Sequence, residues 1–210
     1  MRRTARYSTV SGSDLVTIAR HQVTNTTRIF FLMSAHNPLF NEEHIPLAYF
    51  ITFRCYGTWL HGDERGSTDR YNNQYGTSFI PPTQRWQQHN QNILKHPPVN
   101  LDTDRRSAVE DGIRETCKIR EWELKAINVR TNHVHVVVSA SGKPDPIRIA
   151  FKANATRKMR ENKSWLNMHS PWAEKGSKRY LWTERSVERA IDYTVSGQGD
   201  EIPDFNVEDE

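Results

Sequence analysis

The segment Thr131-Asn132-His133-Val134-His135-Val136-Val137-Val138 constrains this chain more than any other. Side chains alternate faces along a strand, so His133 and His135 point one way while Val134, Val136 and Val138 point the other. Two imidazoles on neighbouring same-side positions are close enough to grip one cation, and a rigid, paired strand is a good platform for a metal site. Two histidines do not fill a coordination shell, so a third ligand and water would have to complete it. The other reading of an isolated His-x-His is a surface feature or a hydrogen-bonded, half-buried couple.

The elements around this strand define the fold class. Ala48 to Leu60 is rich in aromatic and β-branched residues and reads as a strand. Gly62 to Gln84 is a polar excursion, and Trp86 to His96 a short helix stopped before Pro97 and Pro98. Asp104 to Arg120 has helical spacing at Val109, Ile113 and Cys117, with Asp102, Thr103 or Asp104 as its cap. Trp122–Val129 and His133–Ala140 read as two strands joined tightly through Arg130 and Thr131. Ile147, Ala150, Phe151, Ala155 and Met159 mark a basic amphipathic helix, Arg179–Trp182 a short strand, and Thr183–Ser196 a final helix with Gly197 at its end. Strand–helix–strand–strand–helix–strand is the ferredoxin-like α+β arrangement, an antiparallel sheet with helices on one face. The last helix is additional.

That helix carries Tyr193. Val187, Ala190, Ile191, Thr194 and Val195 form an apolar stripe, and helical geometry sets Tyr193 roughly 135° from its centre. A tyrosine off the core stripe is free for chemistry or is simply exposed. Arg189, one turn earlier on the same side, is placed to hold a phosphate or favour the phenolate.

Charge suggests a partner. The 210-residue chain has 29 Lys and Arg against 25 Asp and Glu, a formal net charge of +4. The imbalance concentrates between Pro144 and Ala190, with eleven basic and five acidic residues, whereas the last twelve residues hold six acids and no base. A basic working surface and an acidic tail (201–210) result. Residues 1–40 are Arg-rich with one acid, Asp14, and read as a disordered extension or as a start taken too early, with Met33 the true beginning. The two cysteines and the lack of any apolar run approaching the ~18 residues of a membrane span point to a cytoplasmic protein.

Taken together, the His-hydrophobic-His strand, the basic helix after it and the helix-borne tyrosine resemble the HUH single-tyrosine transposases. REP-associated tyrosine transposases and their insertion-sequence relatives are the similar branch. AYFITFRCYGTWLHGDERGS and RYLWTERSVERAIDYTVSGQGD are similar to the family's two ends, so the resemblance spans a domain of roughly 47–200. It implies that His133 and His135 bind Mg²⁺ or Mn²⁺, and that Tyr193 attacks a DNA phosphate to give a 5′-phosphotyrosine link and a free 3′-hydroxyl. It also implies a polar third metal ligand shortly after the tyrosine. The pattern sets that ligand four places on, where this chain has Gly197, and Gln198 lies one further. Single-stranded or hairpin DNA is the implied partner, held by Arg148, Lys152, Arg157, Lys158 and Arg189. Arg65 or His61, in the segment Gly57–Gly66, is a further DNA contact on this resemblance; that segment also reads as a glycine-shaped turn. A homodimer is left open, because related enzymes place the tyrosine in cis or supply it from a partner subunit.

Two other readings stand beside this one. A domesticated, non-catalytic hairpin-binding protein would keep the fold without nicking, and a metal-dependent hydrolase would leave Tyr193 incidental and its product free of protein.

Overall fold

Period-two alternation settles which side chains face which way. Strand β1 (Ala48–Arg54) carries Tyr49, Ile51 and Phe53 on one face and Ala48, Phe50, Thr52 and Arg54 on the other. Strand β3 (His133–Ser139) puts its valines 134, 136 and 138 on the first face and His133, His135 and Val137 on the second. The two run antiparallel side by side, with Thr52 opposite His135 and Arg54 opposite His133. Strand β2 (Glu123–Val129) pairs with the free edge of β3, with Asn128 facing His135. Strand β4 (Ser177–Leu181) pairs with the free edge of β1, with Ser177 facing Thr52. The sheet order β2-β3-β1-β4, antiparallel throughout, is that of the ferredoxin-like α+β arrangement. This computed structural model describes residues 45–67, 80–197 and 205–206; the extension expected over residues 1–40, Gln198 and the acidic tail apart from Phe205 and Asn206 lie outside the described residues.

Two helices cover the first face. Helix α2 (Thr103–Arg120) starts at Asp102, whose carboxylate accepts from the Arg105 amide at 2.9 Å, and helix α3 (Pro144–Glu161) starts on a proline whose missing N–H costs nothing there. Val109, Ile113 and Cys117 of α2, with Ile147, Phe151, Ala155 and Met159 of α3, bury the valine face of β3 and the aromatic face of β1. Helix α1 (Gln84–Asn92) lies in the connection between β1 and α2 and buries none of its residues. The additional helix, α4 (Glu184–Val195), covers the second face with Val187 and Ala190 against Ala48, Phe50, Val137 and Leu181. A reciprocal Thr183–Ser186 capping box starts it. The sheet is therefore a middle layer, and α4 shares a face with the histidines.

Some boundaries differ from the sequence reading. β1 stops at Arg54, well short of Leu60, because Cys55 makes only a single bridge to Trp172 and the chain then turns through Gly57 at φ 72. Helix α1 spans Gln84–Asn92, two residues earlier at its start and four at its end than expected. Phe205, from the stretch read as an acidic tail, is buried among the side chains of the second face.

Close packing of α2 on α3 depends on Gly112, where a Cβ would stand 2.9 Å from the Asn154 carbonyl oxygen and 3.0 Å from Ala155 Cα. The obstacles are backbone, so they cannot swing aside. Gly112→Val is expected to lower stability by about 1–3 kcal/mol, read from urea unfolding, by forcing the helices apart.

Candidate active site

His133, His135 and Tyr193 meet on the second sheet face, within one chain. The His133 and His135 rings lie 4.7 Å apart, centre to centre, at 73°. The Tyr193 ring stands edge-on to His135 with centres 5.7 Å apart. Phe50 supports both, stacked on His135 at 5.3 Å and edge-on to Tyr193 at 5.9 Å. Phe205 closes the cluster, 5.1 Å from Phe50 and 5.9 Å from Tyr193.

Neighbouring groups orient both imidazoles. His133 Nδ1 lies 2.6 Å from Asn132 Oδ1, and His135 Nδ1 lies 2.7 Å from Thr52 Oγ1. An amide oxygen only accepts, so His133 donates a proton from Nδ1 to Asn132, which leaves Nε2 as the nitrogen that would meet a metal. When His135 donates to Thr52 in the same way, it too presents Nε2, and outer partners of this kind are what hold metal-binding histidines in one tautomer. His135 is buried, and its pKa is pushed down to about 3, first by burial and then by His133, Arg54 and Arg130. Its imidazole is therefore neutral at ordinary pH, the form a metal needs. Two imidazoles fit part of a divalent-ion shell. Among the described residues, no third His, Cys, Asp or Glu joins them. Gln198, the expected third ligand, lies outside the described residues.

Tyr193 is placed from behind by its own helix. Asn128 of β2 donates to the Thr194 carbonyl at 2.8 Å, tying the end of α4 to the strand that flanks His135. Gly197 packs against the tyrosine, where an added Cβ would stand 3.0 Å from Tyr193 Cδ2 and 3.1 Å from its Cα. The apolar stripe read from the sequence needs correction here. Val195 is 64% exposed, whereas the face against the sheet is Ser186, Val187, Ala190 and Thr194. Small side chains let α4 sit close to the sheet, and Tyr193 falls half-buried at the edge of that face rather than turned away from it.

The basic residues expected at the DNA divide into two groups. Arg189 lies half-buried on α4, one turn before Tyr193. Arg148, Lys152, Arg157 and Lys158 all stand on α3, which packs on the other face of the sheet. Arg148 pairs with Asp145 at 3.0 Å and bonds the Glu174 carbonyl, and Lys152 donates to the carbonyls of residues 173, 174 and 175. Lys152 has its pKa lowered to about 8, chiefly by burial and then by Arg148. Arg157 and Lys158 both reach Glu115 of α2. The structure does not bring these four to the histidines. Arg65 forms a two-point pair with Asp63, with both contacts at 2.7 Å, inside a turn shaped by Gly57, Gly62 and Gly66 at positive φ.

Thr52, Arg54, Asn128 and Phe205 were not singled out in the sequence. For the first three a signal existed: each is a polar residue at a strand position of the same parity as the histidines. Phe205 had none.

The comparisons bear on this arrangement. The family model described as "Transposase IS200 like" matches residues 91–187, a segment that contains both histidines and ends before Tyr193. Among solved structures, the chain is similar to a REP-associated tyrosine transposase bound to a REP hairpin, with 11% identity over 74% of this chain and 68% of that one and a TM-score of 0.42. It is also similar to a candidate transposase from Deinococcus radiodurans, with 13% identity over 76% and 95% of the two chains and a TM-score of 0.41. No curated protein sequence matches it.

The depressed His135 pKa sets a stability window. Unfolded, this imidazole titrates near 6.5; folded, only near about 3. Between the two the unfolded chain binds a proton that the folded chain refuses, so stability falls as pH drops through that window and is regained above it. His135→Gln is expected to flatten this part of the Tm-against-pH profile, measured by circular dichroism; an unchanged profile would assign the acid sensitivity elsewhere.

Proposed function

We propose, from the IS200-like match over residues 91–187 and the convergence of His133, His135 and Tyr193 on one sheet face, that this protein is a DNA transposase of the single-tyrosine type. Its substrate is single-stranded or hairpin DNA, cut and rejoined without ATP. The observation that carries this reading is the 5.7 Å approach of the Tyr193 ring to His135, two residues 58 positions apart in the sequence.

The chemistry assigns each residue a task. The Tyr193 oxygen attacks a backbone phosphorus, forming a tyrosyl O–P bond as the P–O3′ bond breaks. The phenol gives up its proton to solvent, and the departing 3′-oxygen gains one. The 5′-phosphotyrosine that results keeps the energy of the phosphodiester, so a 3′-hydroxyl can reverse the step and release the tyrosine. A phenol is a weak nucleophile near neutral pH, because its ordinary pKa is about 10. A divalent ion, Mg²⁺ or Mn²⁺, would be held by His133 and His135, with Gln198 as the expected third ligand, and would polarise the phosphate. Thr52 and Asn132 keep the imidazoles in position, and Asn128 and Gly197 keep Tyr193 over them. The tyrosine acts in cis on this geometry, so a homodimer is not required to complete the site.

Incubation with 5′- or 3′-labelled single-stranded hairpin oligonucleotides and Mn²⁺ tests this. The expected product is a protein–DNA adduct stable to SDS that carries the 3′-side fragment, absent in Tyr193→Phe and in the His133→Ala, His135→Ala double variant. Nicking without an adduct would mark a hydrolase, and tight hairpin binding with no nicking in any metal a domesticated binding protein. Gly197→Ala is expected to slow adduct formation about 10- to 100-fold by displacing the tyrosine. Its hairpin affinity should match that of the unaltered protein in a gel-shift titration.

A further inference from the structure

Arg54 ends β1 directly opposite His133, on the face shared by both histidines and Tyr193. Residues opposed across an antiparallel pair hold their Cβ atoms roughly 5 Å apart, so its side chain leaves the sheet beside the imidazoles. It is half-buried, and its guanidinium lies over the Trp59 ring, 3.2 Å from the ring centre. Arg65 takes the opposite role in the same turn, 4.5 Å from that ring but with its charge answered by Asp63. Arg54 forms no ion pair among the described residues: Asp63, the carboxylate beside it, is engaged by Arg65. Burial and the neighbouring Arg65 lower the Arg54 pKa to about 10, offset in part by Asp63.

A guanidinium partly withdrawn from water, backed by an indole and sharing its nearest carboxylate, Asp63, with Arg65, is under-compensated until an anion arrives. Beside His133 and His135 the cost is greater, because a cation bound there would repel it. One ligand removes both penalties, a phosphodiester. Its non-bridging oxygens can meet Arg54 on one side and face the imidazole pair on the other. Stacking on Trp59 covers a face of the guanidinium and leaves its N–H edge to recognise oxygen, the geometry in which arginine binds phosphate well. The turn Gly57–Gly66, with Trp59 Nε1 donating to the Gly66 carbonyl at 2.7 Å, then serves to hold that indole in place.

We propose that Arg54 is a catalytic residue that contacts the scissile phosphate of single-stranded DNA, with Trp59 as its backing. The proposal rests on the transposase reading for the word scissile, but not for the phosphate contact. Arg54→Met and Arg54→Gln, two variants so that a misfolded one does not end the test, are compared with the unaltered chain in two measurements. In Mn²⁺, nicking should slow by about 100-fold, mostly in kcat, as expected for loss of a preorganised donor to a developing anion, and Arg54→Lys should restore part of it. In EDTA, where no nicking occurs, the slope of log affinity against log salt for a single-stranded oligonucleotide should shrink by about 0.7, the signature of one lost phosphate contact. If the unaltered chain nicks and a folded Arg54→Met or Arg54→Gln does so equally fast with the same slope, the proposal is overturned and the transposase reading survives. If the unaltered chain never nicks but the slope falls, the transposase reading is lost and the phosphate contact stands.

Discussion

The register of β3 between its two neighbours is the constraint on which the site depends. One row of opposed residues crosses the sheet from Asn128 through His135 and Thr52 to Ser177, and an adjoining pair joins His133 to Arg54. Because the side-chain period of a strand is two, a slip of one residue would drive both imidazoles into the core under α2 and α3 and turn Val134 and Val136 outward. The valine face prevents that slip, since Val134, Val136 and Val138 are fully buried on the helix-covered side. The hydrophobic burial that stabilises the fold therefore also fixes the polar row of the candidate site.

That polar row is electrostatically one-sided. Arg54 and Arg130 both act on His135 to disfavour its protonation, and no acidic side chain joins the imidazoles in a metal-binding group among the described residues. An imidazole pair flanked by guanidinium groups is an environment that welcomes an anion, and a cation most readily when an anion accompanies it. Three carboxylates are engaged by other cations. Glu115, Asp145 and Asp63 are paired with Arg157 and Lys158, with Arg148 and Lys178, and with Arg65 respectively.

Much of this was legible in the sequence, for identifiable reasons. The His133–His135 strand, the element order and the face shared by the imidazoles followed from period-two alternation, which burial enforces strongly. The face of α4 followed only in part. Val187, Ala190 and Thr194 of the expected stripe are buried and Ile191 packs beside them, but Ser186 joins that face and Val195 points to solvent, so the contact surface lies closer to Tyr193 than hydrophobicity alone implied. The basic helix shows a second limit of a one-dimensional reading. Positive charge on α3 is visible in one dimension, but whether a carboxylate from α2 neutralises it is a tertiary fact. Phe205 reaches the site from beyond α4, and no local pattern announces a contact of that separation.

The central claim is that a cation on the imidazole pair and the Tyr193 phenol address the same phosphate. Anomalous diffraction from crystals grown with Mn²⁺ and a short single-stranded oligonucleotide, using Tyr193→Phe to stop turnover, tests it directly. The account expects one manganese peak bonded to Nε2 of both His133 and His135, with a backbone phosphate between that peak and the aromatic ring at position 193. A peak at any other residue, or a phosphate bound away from α4, would contradict it.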